Sequence, residues 1–227
     1  MQNTLIYRPM MKAPDYDKAA RLAVRTLLEL GVRETPVFPA DLVKRCKNTV
    51  LVPYTELALL PGCGMIGSED FPARDAATWR CDWAGNRYYV VGYNPKKPVA
   101  RMKFTMAHEL GHIVLGHKIG QEYWEEEEAN HFALHLLFPR PMLAECAARG
   151  MLMCETNLLN LTNCSMPCIR SLAYARPSAV PDRYNRELRQ QMRGYVENIF
   201  YAGMVWNKLT EFNRLVQLKR YMEGYRE

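Results

Sequence analysis

Apolar residues recur at helical spacing near the start of the chain. Residues 16–30 (YDKAARLAVRTLLEL) carry one apolar stripe, which consists of Ala20, Leu22, Ala23, Leu27 and Leu28. Gly31 follows directly, so the pattern predicts an amphipathic helix that ends there. A shorter helix is predicted around residues 40–43. Both helices therefore offer one apolar face to a core.

The pattern then changes from helical to alternating. Residues 50–54, 77–82 and 87–93 are rich in β-branched and aromatic residues, which favours strands, and residues 83–86 contain a Gly–Asn pair typical of a turn. Residues 60–73 are rich in glycine and proline and are predicted to form a loop. We expect a small sheet in which residues 87–93 are a candidate edge for holding an extended peptide, although an internal strand fits the same composition.

A helix with almost no polar face follows the predicted sheet. Apolar residues occupy most directions around residues 104–115, and only His108, Glu109 and His112 form a polar strip. Such a helix is predicted to be buried. Burial of ionisable groups is costly unless they are compensated, and a cation that takes both imidazole lone pairs removes most of that cost.

The polar strip reads HELGH, which is the HExxH pattern of zinc hydrolases. Two histidines four positions apart lie on one face of a helix and can reach one metal ion, while Glu109 can act on water beside the metal without ligating it. The alternative is that His108 and His112 are hydrogen-bonded core histidines. All five histidines of the chain fall between residues 108 and 135, which favours the metal site.

The third ligand is expected to be an acid. The extended motif HExxHxxGxxH requires Gly at position 115 and His at position 118, but the chain has Leu115 and Lys118. On a continued helix His117 would point away from His112. Gly116 is therefore predicted to end the helix, and His117 is interpreted as a cap or surface residue.

The acid is expected from a helix predicted over residues 122–137, where a run of four glutamates starts at Glu125. Glu126 lies at the edge of the apolar face and is the preferred ligand, while Asn130, one turn later, can orient an imidazole. Glu125 is not excluded, and Glu128 is the next alternative. Because acids are favourable at a solvated helix N-terminus, at least two of the four are expected to be solvated there.

A second pair with the same spacing, His131 and His135, lies in the same predicted helix. By spacing alone this pair could bind a metal. Both side chains are predicted on the outward face, with no cysteine or acid pattern nearby, so we interpret them as a surface pair.

The two central motifs together resemble a known family. The segments RMKFTMAHELGHIVLGH and EEEEANHFALHLLFPRP, within a match over about residues 14–175, are similar to the ImmA/IrrE family of zinc metallopeptidases. In zincins with a glutamate ligand, that ligand stands four residues before an Asn or Asp, which again selects Glu126 before Asn130. The resemblance implies an intracellular enzyme of bacteria or phages, often carried by a mobile element. It also implies that the enzyme cleaves a partner repressor with a helix-turn-helix domain.

Composition and charge narrow the class of protein only modestly. The 227 residues are 48% hydrophobic and 24% charged, which is ordinary for a globular protein. There is no apolar segment long enough for a membrane span and no signal-peptide core, so a cytoplasmic location is expected. The formal charge of +6 comes without a dense basic cluster, so neither membrane nor direct nucleic-acid binding is expected.

Seven cysteines, without any CxxC pair, indicate reduced thiols rather than a disulfide framework. Cys164 and Cys168 are interpreted as buried or adventitious thiols with no assigned function.

The C-terminal third is predicted to be helical. Short helices are expected at residues 142–149, 155–161 and 165–174. Ser165 is the expected N-cap of the last of these. Residues 183–225 continue with helical periodicity, interrupted at Gly194 and Gly203. This extension is interpreted either as a partner-binding or dimer-forming arm or as a helix that closes the core, and the sequence supports both equally.

These elements predict an α+β, zincin-like minimal metallopeptidase. Its small sheet is expected to pack on the HExxH helix, with helical N-terminal and C-terminal parts. The peptidase domain is assigned to residues 1–180 and the helical extension to residues 181–227.

The predicted activity is zinc-dependent hydrolysis of a peptide bond in a protein partner, with a helix-turn-helix repressor of a mobile element or stress response as the expected substrate. Zn2+ is expected to be held by His108, His112 and Glu126, and Glu109 to take a proton from water. Two alternatives remain: a zinc-stabilised antirepressor that binds without cutting, and hydrolysis of a small amide.

Overall fold

The structure, a computed structural model, describes residues 12–57, 59–60, 74–83, 85–118 and 122–223. Apart from its first residue, the loop predicted at residues 60–73 lies outside the described residues. In chain order the elements are α1 (Tyr16–Glu29), α2 (Pro39–Arg45), β1 (Thr49–Pro53), α3 (Tyr54–Leu57), β2 (Ala76–Trp83), β3 (Asn86–Tyr93), α4 (Val99–Leu115), α5 (Tyr123–Leu137), α6 (Arg140–Ala148), α7 (Glu155–Thr162), α8 (Met166–Ala173) and α9 (Asp182–Glu223).

The first helix has the amphipathic character that the sequence predicts. Its N-cap is Asp15, whose side chain accepts the Lys18 amide N–H at 2.8 Å, and this satisfies one of the donors left free at the start of a helix. The apolar stripe faces the core, where Ala20, Ala23 and Leu27 are fully buried. The helix thereby packs along α5.

The sheet is small and mixed, with the strand order β1–β3–β2. Strand β1 runs parallel to β3, with Thr49 opposite Tyr89, and β2 runs antiparallel to β3, with Ala76 opposite Tyr93. The central position of β3 makes the candidate edge at residues 87–93 wrong and confirms the alternative of an internal strand. The buried Val90–Gly92 segment suits a strand paired on both sides. In the part of the chain that the structure describes, β1 and β2 are the two edge strands.

Helices α4 and α5 pack closely against each other at a glycine. A Cβ atom on Gly111 would lie 3.1 Å from Phe132 Cδ1 and 3.2 Å from the Ala129 Cα. Only glycine leaves room for this approach without moving a neighbour. The close contact sets the distance between the two helices that carry the predicted ligands.

Three shorter helices and one long helix complete the fold. Ser165 is the N-cap of α8, as predicted, although its side chain makes no capping hydrogen bond. Cys164 and Cys168 are free and buried beside it. The described helices form an α+β architecture with the three-stranded sheet.

The last helix runs without a break. Helix α9 spans Asp182–Glu223, so the prediction of interruptions at Gly194 and Gly203 is wrong. A glycine inside a helix costs only about 1 kcal/mol, which a long packed helix tolerates. The first part of α9 belongs to the same core as α1, because Leu188 and Met192 are fully buried there. The domain boundary at residue 180 stays a prediction.

Across the described residues, the helices lack the combination of length and apolar character that a bilayer crossing requires. The cytoplasmic location stays a prediction.

Candidate metal centre and active-site cleft

Side chains from α4 and α5 converge on one point. His108 Nε2 lies 3.0 Å from His112 Nε2 and 3.2 Å from Glu126 Oε2, and His112 Nε2 lies 3.5 Å from Glu126 Oε1. One turn of α4 stacks the two imidazoles, and the close packing of α5 brings the carboxylate to them. Among the described residues, these three form a group that could hold a metal ion.

The spacing of the three ligand atoms suits a tetrahedral zinc site. Zinc binds imidazole nitrogen and carboxylate oxygen at about 2.0–2.2 Å, so two ligand atoms of a tetrahedron lie about 3.3–3.5 Å apart. The distances of 3.0, 3.2 and 3.5 Å are close to that value. The ligand set of two nitrogens and one oxygen leaves a fourth position for water or substrate.

The hydrogen bond from Asn130 fixes which ring nitrogen of His108 is free. Asn130 Oδ1 lies 2.9 Å from His108 Nδ1, and a carbonyl oxygen can only accept. His108 Nδ1 therefore carries the proton, and Nε2 presents a lone pair to the cluster. This is the contact predicted for Asn130.

The electrostatics of the cluster favour an ionised Glu126 and a neutral His112. Burial lowers the pKa of His112 to about 3, and the neighbouring His108 adds to the effect. Burial also acts to lower the pKa of His108, but the carboxylates of Glu126 and Glu109 outweigh it and leave that pKa raised. The close contact with His108 lowers the pKa of Glu126. A cation placed among these groups would be stabilised by the carboxylates.

Glu109 lies beside the cluster without joining it. The side chain is buried, and Glu109 Oε2 accepts a 2.6 Å hydrogen bond from the hydroxyl of Thr78 on β2. Burial raises the pKa of Glu109, and the nearby His108 and the Thr78 hydrogen bond offset part of that rise. A carboxyl whose pKa is moved toward neutral pH can accept a proton and return it.

The cluster opens into a cleft of about 480 Å³. Residues 75–79 along β2 form one wall, and Phe104 and Thr105 of α4 lie opposite with the metal-ligand candidates. At the rim, Asp75 accepts hydrogen bonds from the Arg101 guanidinium and pairs with Lys97 at 3.2 Å. The cleft therefore has a strand edge, a candidate metal centre and a buried carboxyl in one place.

A family model described as the IrrE N-terminal-like domain, Peptidase_M78, matches residues 69–166. Residues 69–166 are therefore similar to the IrrE N-terminal-like peptidase family. The resemblance to the ImmA/IrrE family predicted from the two motifs is confirmed, over a shorter span than residues 14–175. No curated protein and no solved structure matches the chain. The IrrE-like domain includes all the residues of the cluster together with Thr78, Glu109 and Asn130.

The environment of His117, in the IrrE-like domain, differs from the one predicted from the sequence. Gly116 ends α4 in the left-handed region, with φ of +72°, as predicted. The turn carries His117 back into the protein, where it is only 3% exposed, so its interpretation as a surface residue is wrong. Its interpretation as a cap is confirmed, because the His117 backbone N–H donates to the His112 carbonyl at 3.0 Å. His117 Nδ1 lies 2.9 Å from His112 Nδ1, and His117 Nε2 lies 3.1 Å from Glu128 Oε2. Burial lowers the pKa of His117, which keeps the ring neutral near pH 7.

The four glutamates at the start of α5 have four different environments. Glu126 faces the cleft, and Glu127 Oε2 accepts from the Tyr16 hydroxyl at 3.1 Å. Glu125 and Glu128 are buried, whereas Glu126 and Glu127 are partly exposed, so the expectation that at least two of the four are solvated is not contradicted. Backbone donors offset the cost of this burial: Glu125 accepts the Lys118 amide N–H at 3.0 Å, and Glu128 accepts the Asp15 amide N–H at 2.9 Å. Of the three ligand candidates on α5, the structure brings Glu126 to the imidazoles.

The second histidine pair is also buried. His131 and His135 are 4% and 2% exposed, so their interpretation as a surface pair is wrong. The Tyr16 ring of α1 covers His131, with ring centroids 5.0 Å apart, and Ser178 Oγ lies 3.0 Å from His135 Nε2. Helix α1 and the segment around Ser178, both distant in sequence, thus cover the face of α5 that was predicted to be exposed to solvent.

Three residues of the IrrE-like domain were missed as parts of the site. Thr78 lies on the inward-facing side of β2, and its hydroxyl in a buried strand position was the available signal. The sequence analysis included Gly111 only as part of the HELGH motif and did not predict its close contact with α5. The role of His117 could not be predicted from the sequence, because the direction of its side chain depends on the backbone conformation at Gly116.

Proposed function

We propose that this chain is a zinc-dependent endopeptidase. His108, His112 and Glu126 hold the metal, and Glu109 is the catalytic base and acid. The observation that carries the proposal is the convergence of three ligand atoms beside a buried carboxyl that is not itself a ligand. A structural metal site has no use for such a carboxyl, whereas hydrolysis requires one. The peptidase family of residues 69–166 supports the same class of reaction.

Zinc is the preferred metal because imidazole-rich sites with one carboxylate suit it. When bound, zinc supplies Lewis acidity, which lowers the pKa of an adjacent water from 15.7 toward about 7 and polarises the substrate carbonyl. Thr78 donates to Glu109 Oε2 and holds that carboxyl in place, so Oε1 is the atom that accepts the proton of the attacking water. Glu109 then returns the proton to the departing amine.

The substrate is a protein segment in extended conformation. The outer edge of β2 lines the cleft, and in the described residues no strand pairs with that edge. An extended peptide added there would be held by main-chain hydrogen bonds, which fix one carbonyl near the cluster and tolerate many side chains. The specific substrate we propose, a helix-turn-helix repressor, rests on the family resemblance of the two motifs.

The test is a comparison of wild type with Glu109→Gln. Both zinc-loaded proteins are incubated with a proteome-derived peptide library and with a helix-turn-helix protein whose gene lies next to the gene of this protein. New peptide termini are then identified by mass spectrometry. We expect cleavage by wild type and a loss of about 10²–10⁴-fold in the variant, since general acid–base catalysis contributes that much. Zinc affinity should change little, because Glu109 is not a ligand.

Two outcomes would contradict the proposal. Equal cleavage by both proteins would remove Glu109 from the mechanism. Release of the repressor from its operator by the variant as well as by wild type, without new termini, would favour the antirepressor that binds without cutting.

A further inference from the structure

We propose that His117 and Glu128 are positioning residues for the ligand His112. They form a buried hydrogen-bonded relay, Glu128–His117–His112, that fixes the ring orientation and tautomer of His112. The inference rests on the metal site proposed above and adds two residues to it.

The relay follows from counting donors and acceptors. Glu128 Oε1 accepts the Asp15 amide N–H at 2.9 Å, and Glu128 Oε2 faces His117 Nε2 at 3.1 Å. An ionised carboxylate only accepts, so His117 Nε2 carries the proton of that ring. A neutral imidazole has one N–H, and His117 Nδ1 is therefore an acceptor. It lies 2.9 Å from His112 Nδ1, which must donate to it.

This series of hydrogen bonds leaves a free lone pair on His112 Nε2, the atom that faces the cluster. With the proton of His112 on Nδ1, its Nε2 is unprotonated and faces His108 and Glu126 at 3.0 and 3.5 Å. The opposite tautomer would direct an N–H into the cluster and exclude a cation. A ligand imidazole is commonly held through its second nitrogen in this way, by a carboxylate or carbonyl that also raises its basicity.

The burial of the relay makes its geometry well defined. Glu128 and His117 are 1% and 3% exposed, and the Trp124 ring packs edge-on against His117 with centroids 5.4 Å apart. Water has little access to compete for these hydrogen bonds, and polar groups in such surroundings need their partners. The two ligand imidazoles are thus held differently: His108 by the amide of Asn130, and His112 by an imidazole backed by a carboxylate.

The first test is zinc affinity, measured by competition with a chromophoric chelator. His117→Leu removes the acceptor, and we expect zinc to bind about 10–100-fold more weakly, the usual effect of losing such a partner. His117→Asn restores an acceptor oxygen close to the Nδ1 position and should recover affinity to within a few-fold of wild type. His135→Leu is the matched control, because it removes another buried histidine outside the relay and should leave affinity within about twofold.

The second test reads the tautomer directly. Long-range ¹H–¹⁵N correlation spectra of the zinc-free protein should show His112 protonated at Nδ1 in wild type and in His117→Asn. In His117→Leu both tautomers should be populated. Should His117→Leu fail to fold, Glu128→Gln replaces it. The Asp15 amide and His117 face different oxygens of Glu128, and glutamine has an NH2 donor in place of one of them, so one of the two hydrogen bonds is lost. We then expect the same shift in the tautomer and a smaller loss of affinity.

The outcomes separate this inference from the proposed function. The relay would be overturned if wild type and His117→Leu bound zinc equally tightly, or if His112 in wild type were protonated at Nε2. Neither result would contradict the metal site. Wild type binding zinc no better than a His108→Ala/His112→Ala variant would overturn both.

Discussion

The chain contains two histidine pairs of the same spacing, and they have different chemistry. In each pair, His108/His112 on α4 and His131/His135 on α5, the ring centroids lie 4.7 Å apart and a buried helix supports both rings. The first pair directs two nitrogens at Glu126, within a cleft. The second pair has no such acid among the described residues. Spacing on a helix places two imidazoles together, but the third ligand and an open face make them a candidate metal centre.

The charges around the two pairs strengthen this difference. In the first pair, Glu126 and Glu109 raise the pKa of His108 and favour a positive charge on it, although burial lowers the pKa of His112 to about 3. Around the second pair, burial lowers the pKa of His131 to about 4 and that of His135 to about 3, and the cation of Arg140 lowers both further. The second pair is therefore a neutral part of the core, and a cation would be repelled from it.

The strongest test of this comparison is to remove one histidine from each pair. His112→Ala should weaken zinc binding by at least about 10³-fold, beyond the 10–100-fold effect of losing an outer hydrogen-bond partner. His131→Gln should leave zinc affinity within about twofold. Both are measured by chelator competition and by the zinc content of the purified proteins. Loss of zinc in His131→Gln, in a protein that still folds, would give the second pair a role in metal binding.

The second pair should instead control acid stability. Its folded-state pKa values of about 4 and about 3 lie below the unfolded value of 6.5, so the unfolded chain binds more protons between these limits and stability falls as pH falls. Each histidine should lower the free energy of unfolding by about 2 kcal/mol between pH 7 and pH 5. Urea unfolding with excess chelator should show that His135→Gln loses about 2 kcal/mol less than wild type over this range. Parallel pH profiles would show that His135 is not buried in its neutral form.

The helix contact beside the first pair offers a third test. Gly111→Ala places a methyl group within 3.2 Å of the Ala129 backbone and should push α5 away, which moves Glu126 and weakens zinc binding about tenfold. Gly194→Ala in α9 is the matched control, since nothing lies within 4 Å of the added methyl group. It should raise the free energy of unfolding by about 0.5–1 kcal/mol and leave zinc affinity unchanged. Chelator competition and thermal melts distinguish the two, and unchanged zinc affinity in Gly111→Ala would show that the contact does not set the position of Glu126.

The smallest expected effect concerns Ser178. Ser178→Ala removes the hydrogen bond to His135 Nε2 and should lower the free energy of unfolding by about 1 kcal/mol at pH 7. Because the second pair takes no part in the cluster, zinc affinity should not change. Urea unfolding and chelator competition on the same samples check both statements; a change in affinity would argue for coupling between the pairs.

Local pattern predicted the elements well because apolar periodicity is a property of neighbouring residues. Helices α1, α4 and α5 and the β2–β3 hairpin lie within a residue or two of their predicted bounds, except that α4 extends further toward its N-terminus. The same periodicity selected Glu126 from four adjacent acids. The identity of β3 as a central strand could not be predicted, since it depends on β1, which joins from a distant part of the chain.

The errors concern residues whose surroundings are set by tertiary packing. The direction of His117 depends on one left-handed residue, Gly116, after which the helix no longer predicts where side chains point. The burial of His131 and His135 depends on α1 and on the segment around Ser178, which cover that face of α5. Periodicity describes one helix at a time and contains no information on what packs against its other side.

The hydrogen bond between the Asp15 amide and Glu128 joins residues 113 positions apart. During synthesis the N-terminal helix leaves the ribosome long before α5 exists, so Glu128 can reach its final partner only after the two helices have docked. If the proposed relay orients His112, metal binding depends on a contact that forms late, and the cap residue of α1 acts on an imidazole almost a hundred residues downstream.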